Sequence, residues 1–298
     1  GSTMFLDTTD RVKVEDLLRG IIVLSGNDAC AVIAEALSPD GSEAGFARLM
    51  TQRAQQMGMT NSTFANSNGW PAAGHRMSLR DLGLLATRLI EDYPQYYPMF
   101  SQREFLFDGR APQNKTNRNP LLGLGIGADG LKTGHTEEAG YGLVGSAKQG
   151  DRRVVFVLSG LESAAARAQE SESIVNWAFR QFSQRSMGKA GTMIAEAHVA
   201  LGAQGAVGLE LESDLSVLVP VSGGSDVSAE VVYTGPLRAP ITKGQNIGEL
   251  VLTRGDLPEV RAPLVARDSV AAGGFMVKLE AAARHLLTRL NEGPEAAS

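Results

Sequence analysis

The sequence has one cysteine, Cys30, which excludes an intrachain disulfide framework. Its four histidines are scattered, so there is no spacing for a metal cage, and neither metal nor cofactor is expected. No run reaches the roughly 18 to 20 consecutive apolar residues that would cross a bilayer. The basic-then-apolar opening of a signal peptide is missing too. Nor is there a cationic excess: 28 Lys and Arg face 33 Asp and Glu, for a formal net charge of −5, and no basic block reverses it. That balance excludes a nucleic-acid binder.

What is present is ordinary for a globular protein: 298 residues, 43% hydrophobic and 20% charged. The length suffices for one large domain or two unequal ones. The opening Gly1-Ser2-Thr3-Met4 reads as the tail of a strand or turn, as if the chain were entered in its middle.

Helical spacing of Leu17, Leu18, Ile21, Ile22 and Leu24 predicts a helix over 14–24, broken by Ser25-Gly26-Asn27. A second helix, richly apolar and expected to be buried, follows over 28–37. An amphipathic helix is expected over 41–57. Ser78 with Asp81 three residues on reads as a capping box for a helix over 79–91. Between them, 61–74 is Asn-, Ser- and Gly-rich and reads as loop. Strand patterns follow at 104–107, 130–133, 141–147 and 153–158, the last two joined by the hairpin chemistry of Lys148-Gln149-Gly150-Asp151. A helix over 164–182 is expected to pack on that sheet.

Near 186–191 the texture changes. Short β-rich runs at 215–221, 229–234 and 247–252, punctuated by Gly, Pro, Ser and Asp, predict a small all-β sandwich. Beyond it Phe275, Met276, Leu279, Ala283, Leu286 and Leu290 fall on one helical face, with Lys278, Arg284, His285 and Arg289 on the other sides. The expected division is 1–187, 188–270 and 271–298: a helix-and-sheet domain, a β domain and an amphipathic helix with tail.

Two stretches carry chemistry. "GIGADGLKTG" at 125–134 has the glycine spacing of a phosphate-binding loop, but Leu131 stands between Gly130 and Lys132. A P-loop lysine directly follows its second glycine and opens a helix. Here the extra residue would turn a strand lysine to the other face, and the stretch runs into a strand pattern. The other reading is a cleft-lining strand in which Lys132 and Gly134 share a face. Lys132 would supply fixed charge, Thr133 a bond to a substrate carboxylate, and Gly134 room for a substrate backbone. Ser25-Gly26-Asn27 lies at a break between apolar helices, where polar groups are either used or are a simple helix boundary.

"LLRGIIVLSGNDACAVIAEAL" at 17–37 followed by "GLKTGHTEEAGYGLVGSA" at 130–147 resembles the low-molecular-mass penicillin-binding proteins, the D-alanyl-D-alanine carboxypeptidases of the serine S11 peptidase type. "TNRNPLL" at 116–122, "ARAQESESIVNWAFRQF" at 166–182, the β domain and the terminal helix extend the resemblance over essentially the whole chain. It implies an α+β fold: a β-lactamase/transpeptidase-like domain with an antiparallel sheet and helices, its N-terminal part missing, then a β-sandwich domain and an amphipathic helix.

The family's S-x-x-K motif, nucleophile and lysine partner, belongs upstream of S-x-N, and only 24 residues precede Ser25. The sole S-x-x-K string is Ser186-Met187-Gly188-Lys189, after K-T-G, and it reads as a solvated linker. An N-terminally truncated, inactive chain is therefore expected. The resemblance implies removal of the terminal D-Ala from peptidoglycan stem peptides ending in D-Ala-D-Ala through an acyl-enzyme, and acylation by β-lactams. It assigns proton relay to Ser25, substrate-amide binding to Asn27 and the positive field to Lys132. Thr133 and Gly134 would bind substrate, with Thr133 gripping the terminal carboxylate. The His135 backbone N–H would be an oxyanion donor, and Arg118 and Arg167 would support the carboxylate subsite. Cys30 is expected to pack in the helix after Asn27. Where relatives commonly carry His-Gly-Leu, this chain has Asn68-Gly69-Trp70.

The terminal helix, through Phe275, Met276, Leu279, Leu286 and Leu290, is expected to lie on the outer face of a bacterial inner membrane, placing the protein in the periplasm. The competing readings are a non-catalytic cell-wall-binding protein, favoured by the missing motif, and a serine β-lactamase, disfavoured by the appended β domain.

Overall fold

The apolar run that starts at Val14 is helical, but it is not the single α-helix its spacing predicts. In a computed structural model, which describes residues 1–222, 227–277, 279–280 and 282–283, α1 (Val14–Arg19) gives way to a π-helical turn, Gly20–Leu24. Gly20 lies so close to the fully buried Met4 that a Cβ would run into its sulfur. Gly26 N–H reaches back to the Gly20 carbonyl at 3.0 Å, and Ser25 ends the wide turn in the left-handed region, φ 60° and ψ 39°. Such π turns often mark functional positions in helices.

α2 (Asn27–Leu37) follows at once. It buries Ala29 and Ala34 but leaves Val32 and Leu37 exposed, so the expectation of a buried helix holds for one face only. The reason is that, among the described residues, its packing partners lie on the alanine side. α3 (Glu43–Gln56) starts at Ser42, whose hydroxyl accepts from Gly45 N–H at 2.9 Å. α4 (Leu79–Asp92) is capped by Ser78, which accepts from Asp81 N–H at 3.1 Å. Only half of the predicted capping box forms. The buried Asp81 carboxylate turns instead to Asn61 N–H and the Ser62 hydroxyl, tying the helix to the loop before it.

A 3₁₀ turn, Tyr97–Ser101, leads toward the sheet. The predicted strand over 104–107 reduces to one bridge, Glu104 to Thr116. The sheet itself is a meander of β1 (Ala128–Thr136), β2 (Gly140–Gln149) and β3 (Arg152–Leu161), all antiparallel. β2 and β3 join through Gly150-Asp151, with Gly150 at φ 59°, as a two-residue hairpin requires. Leu143, Ala147 and Phe156 pack against Leu121 and Val175, the latter from α5 (Ala164–Gln181). Gly145 is pressed on the Phe156 ring with no room for a methyl group. On the other side Leu131 packs with Ala86 and Tyr97.

Contacts divide the chain into two compact units, Gly1–Phe179 and Arg180–Ser298. The second unit is built on two β-sheets. A six-stranded sheet has the order β8-β10-β11-β6-β5-β9. Its strands are β5 (Met193–Ala200), β6 (Ala206–Leu211), β8 (Val227–Val232), β9 (Leu237–Arg238), β10 (Asn246–Arg254) and β11 (Leu257–Ala266). A two-stranded sheet pairs β4 (Phe182–Gly188) with β7 (Leu215–Pro220). Val217 and Val219 of β7 join Leu209, Leu252 and Leu264 in one core, so the two sheets form a sandwich. The segment read as a solvated linker around Ser186 is thus strand β4, with Ser186 opposite Ser216. Its outward residues are exposed, which is why its sequence resembles a linker.

Among the described residues no helix is long and apolar enough to cross a membrane. Phe275, Met276 and Leu279 are helical and exposed. Leu286 and Leu290 lie outside the described residues, as do Lys278, Arg284, His285 and Arg289.

Candidate active site

The π turn and β1 bring two of the sequence candidates into direct contact. Lys132 Nζ donates to Ser25 Oγ at 2.7 Å and to the Thr133 carbonyl at 2.8 Å. Strand alternation decides this orientation. Leu131 is 2% exposed in the core on one face, so Lys132 projects from the other, toward Ser25. The lysine follows no helix-opening glycine loop, which removes the phosphate-cradle reading.

Ser25-Gly26-Asn27 folds as it does for separable reasons. Gly26 has an unexceptional φ of −68°, but a Cβ there would stand 3.1 Å from both Met4 Cγ and Asp28 Oδ1. Asn27 opens α2 with its backbone N–H on the Ser2 carbonyl at 2.9 Å, and its Nδ2 donates to the same oxygen at 3.0 Å. Asp28 fixes the first residues further. Its carboxylate accepts from Thr3 Oγ1 at 2.7 Å and from Met4, Leu6 and Ala29 N–H, each at 3.0 Å. Burial opposes the Asp28 charge, yet these hydrogen bonds hold its pKa below the ordinary carboxylate value.

Arg118 donates to Ser2 Oγ and to Asn114 Oδ1, each at 2.7 Å. Asn114 in turn donates to the Leu24 carbonyl at 3.1 Å, linking the arginine to the end of the π turn. Asn119 is buried and donates to the Gly130 carbonyl at 3.0 Å, pinning the start of β1. Arg167, also buried, reaches the Arg118 carbonyl at 3.5 Å and lies over the Tyr141 ring at 5.7 Å. Its Nε has no partner among the described residues. Tyr141 stacks on His135 across the hairpin, ring centroids 3.9 Å apart. Thr133 is buried, while Gly134 is exposed with open space where a side chain would be.

Lys132, Arg118 and Arg167 form no ion pair with a carboxylate among the described residues. Burial, then Arg118 and Arg167, push the Lys132 pKa down to about 8. Burial, with Arg118 adding to it, also lowers that of Arg167. Burial raises the neighbouring Cys30 thiol to about 11, so it stays protonated and inert at neutral pH. Cations left without a counter-charge in a partly buried site are costly until an anion enters.

The structure therefore joins Ser25 to Lys132, and Asn27 to Arg118 through Ser2. His135 and Arg167 meet through Tyr141. Asn114, Asn119, Ser2 and Tyr141 are additions to the residues read from sequence. Tyr141 was discoverable, since a hairpin turn at 137–139 places it opposite His135. The others act through backbone carbonyls and hydroxyls that no motif marks. Ser186 lies on β4 and Lys189 just past its end at Gly188, so this string is not on a helix as a helical S-x-x-K is.

An antiparallel sheet whose first strand carries Lys-Thr-Gly beside a Ser-Gly-Asn turn, followed by a β-sandwich, defines a penicillin-binding, transpeptidase-like protein. The chain belongs to the D-alanyl-D-alanine carboxypeptidase family, peptidase S11, whose pattern matches residues 1–162. Residues 182–272 match the C-terminal domain of penicillin-binding protein 5. The D-alanyl-D-alanine carboxypeptidase DacC of Escherichia coli is 37% identical over 277 residues, covering 92% of this chain and 68% of that protein. Penicillin-binding protein 5 of Haemophilus influenzae superposes with a TM-score of 0.80 at 34% identity, covering 91% of this chain and 78% of that one. Penicillin-binding protein D2 of Listeria monocytogenes, solved in an ampicillin-bound form, covers 60% of this chain and 73% of its own at 30% identity and a TM-score of 0.53.

Proposed function

We propose that the site supplies the substrate-binding and proton-relay groups of serine-type D-Ala-D-Ala carboxypeptidase chemistry on peptidoglycan stem peptides, a reaction whose acyl-enzyme, which β-lactams also form, needs a serine nucleophile that these 298 residues do not supply. The observation that carries this is Lys132 on the Ser25 hydroxyl, with Arg118 and Arg167 near enough to lower its pKa and none of the three paired with a carboxylate among the described residues. A terminal carboxylate fits that field, with the Thr133 hydroxyl as its hydrogen-bond partner and Arg118 and Arg167 completing the charge. Lys132, lowered to about 8, exchanges a proton with Ser25 Oγ near neutral pH, and Ser25 passes it to the leaving amine. Asn27 presents its amide to the substrate, and the His135 N–H serves as an oxyanion donor. Gly134 leaves room for the substrate backbone beside β1. None of the 298 residues is assigned as the nucleophile on this reading, because the only S-x-x-K string runs from β4 into the turn after it rather than along a helix.

Periplasmic location and docking of the exposed Phe275, Met276 and Leu279 on the membrane surface belong to the same reading. Vesicle sedimentation with and without residues 275–298 tests the docking, and equal binding by both forms refutes it.

Two measurements test the site. A peptide ending in D-Ala-D-Ala should bind about 10- to 100-fold more tightly than its C-terminal amide, as expected for a charge-assisted contact. Equal affinities would refute the carboxylate assignment. Fluorescent penicillin should leave the 298-residue chain unlabelled, and stable labelling would show that the chain carries its own nucleophile. The non-catalytic cell-wall-binding alternative predicts tight binding of peptidoglycan through the β unit with no preference between the two peptides.

A further inference from the structure

Trp70 has no role in the chemistry above, yet its placement is unusual for a loop residue. It is 57% exposed, and an indole left in water needs a reason. It also borders the site. A Cβ built on Gly1 would collide with Asn27 Nδ2 and stand 3.4 Å from the Trp70 ring, so amide and indole flank the same glycine.

The loop holds this position by a set of side-chain bonds. Asn66 Oδ1 accepts from Gly69 N–H at 2.9 Å, and Asn66 Nδ2 donates to the Trp70 carbonyl at 2.7 Å. Asn68 Oδ1 accepts from Trp70 N–H at 3.0 Å. Both backbone groups of Trp70 are therefore fixed by asparagines from its own loop. Gly69 takes φ 81°, a conformation that suits glycine. The loop is anchored in turn to α3, where Glu43 accepts from Ser67 N–H at 3.2 Å and from its hydroxyl at 2.6 Å. At its base Thr63 pairs with Arg76.

A rigid, exposed aromatic beside a polar recognition group is a preorganised platform: it has little backbone freedom left to lose when a ligand covers it. Asn27 is the group assigned to the substrate amide on the acyl side of the scissile bond. What lies next to the indole is then the portion of the acyl donor beyond that amide. We propose that Trp70 is a specificity-determining residue of this site, stacking on an apolar or aromatic acyl side chain of the donor. The inference rests on the acyl-transfer reading of Ser25, Asn27 and Lys132. It selects donors by the side chain that precedes the reacting carbonyl and leaves the reaction itself unchanged.

The sequence has two tryptophans, so Trp177→Phe makes Trp70 the only indole. In the intact protein carrying that change, the indole N–H NMR resonance is followed during titration with two probes. Benzylpenicillin carries an aromatic acyl side chain, and 6-acetamidopenicillanic acid has the same ring system, carboxylate and side amide without the aromatic group. Benzylpenicillin should shift the Trp70 resonance and bind about 2- to 10-fold more tightly than the second probe, the range expected of one aromatic contact. Trp70→Ala, followed through backbone amide resonances, should abolish that preference while leaving 6-acetamidopenicillanic acid binding intact, and Trp70→Phe should retain most of it. Undiminished preference in Trp70→Ala, or an unmoved indole resonance with both probes bound, overturns the role of Trp70 alone. Failure of both probes to bind the unsubstituted protein overturns the acyl-transfer reading and this inference with it.

Discussion

Replacing Lys132 by methionine should make the N-terminal unit more stable at neutral pH and less stable at alkaline pH. Lowering the lysine pKa from 10.5 to about 8 means that the charged form costs about 3 kcal/mol in the folded state. The unfolded chain binds the proton more tightly, so wild-type stability rises with pH between about 8 and 10.5, and below 8 the whole cost is present. Against this, methionine loses the bonds to Ser25 Oγ and the Thr133 carbonyl, about 1 kcal/mol each. The variant should therefore be about 1 kcal/mol more stable at pH 7, and about 1 kcal/mol less stable at pH 10, where most of the cost has been relieved. Both tryptophans, Trp70 and Trp177, lie in the unit Gly1–Phe179, so urea unfolding followed by tryptophan fluorescence reports on that unit. Differences between wild type and variant at each pH cancel the other titrating groups. A variant equally destabilised at pH 7 and pH 10 would show that Lys132 is not a buried, disfavoured cation, and the charge argument for the site would fail.

Arg118→Ala should raise the Lys132 pKa above about 8 by removing a neighbouring positive charge, read from the side-chain resonances of isotopically labelled lysine; an unchanged midpoint counts against the coupling. Asp28→Asn should cost about 1 to 3 kcal/mol, because an amide cannot accept all the bonds from Thr3, Met4, Leu6 and Ala29. The Asp28 contribution is present above the ordinary carboxylate pKa and is lost as pH falls through its lowered folded value, so wild type and variant should converge in acid. Gly145→Ala should destabilise the sheet by about 1 to 3 kcal/mol through overpacking on Phe156, measured by the same urea titration. A neutral effect would mean that the ring moves aside freely.

The parts of this fold that were legible in the sequence are those in which one local rule decides. Ser78 caps its helix, and Gly150-Asp151 turns the β2–β3 hairpin where the chemistry of the turn requires it. Leu131 also gave the right answer, because strand alternation alone sends Lys132 to the opposite face. What was not legible depends on contacts from afar. The π turn at Gly20–Leu24 follows Met4, sixteen positions away in the chain, rather than the apolar spacing around it. Strand β4 was missed because Ser183 to Ser186 are exposed on both faces and so as polar as a linker. Within the site, Ser25, Asn27 and Lys132 were visible because they stand in short, recognisable motifs. Ser2 and Asn114 were not, because they contribute a carbonyl or an amide that any sequence could offer.

Ser25 and Gly26 have exchanged the conformational roles their identities suggest. The serine occupies the left-handed backbone that glycine tolerates best, while the glycine has dihedral angles open to every residue and is needed for lack of space. For folding alone, Ser25→Gly would relieve about 1 kcal/mol of left-handed backbone cost and lose about as much with the Lys132 bond to the hydroxyl, so it should be near neutral. Folding stability therefore gives no strong reason to keep this hydroxyl. A serine that persists there is under selection for what its oxygen does.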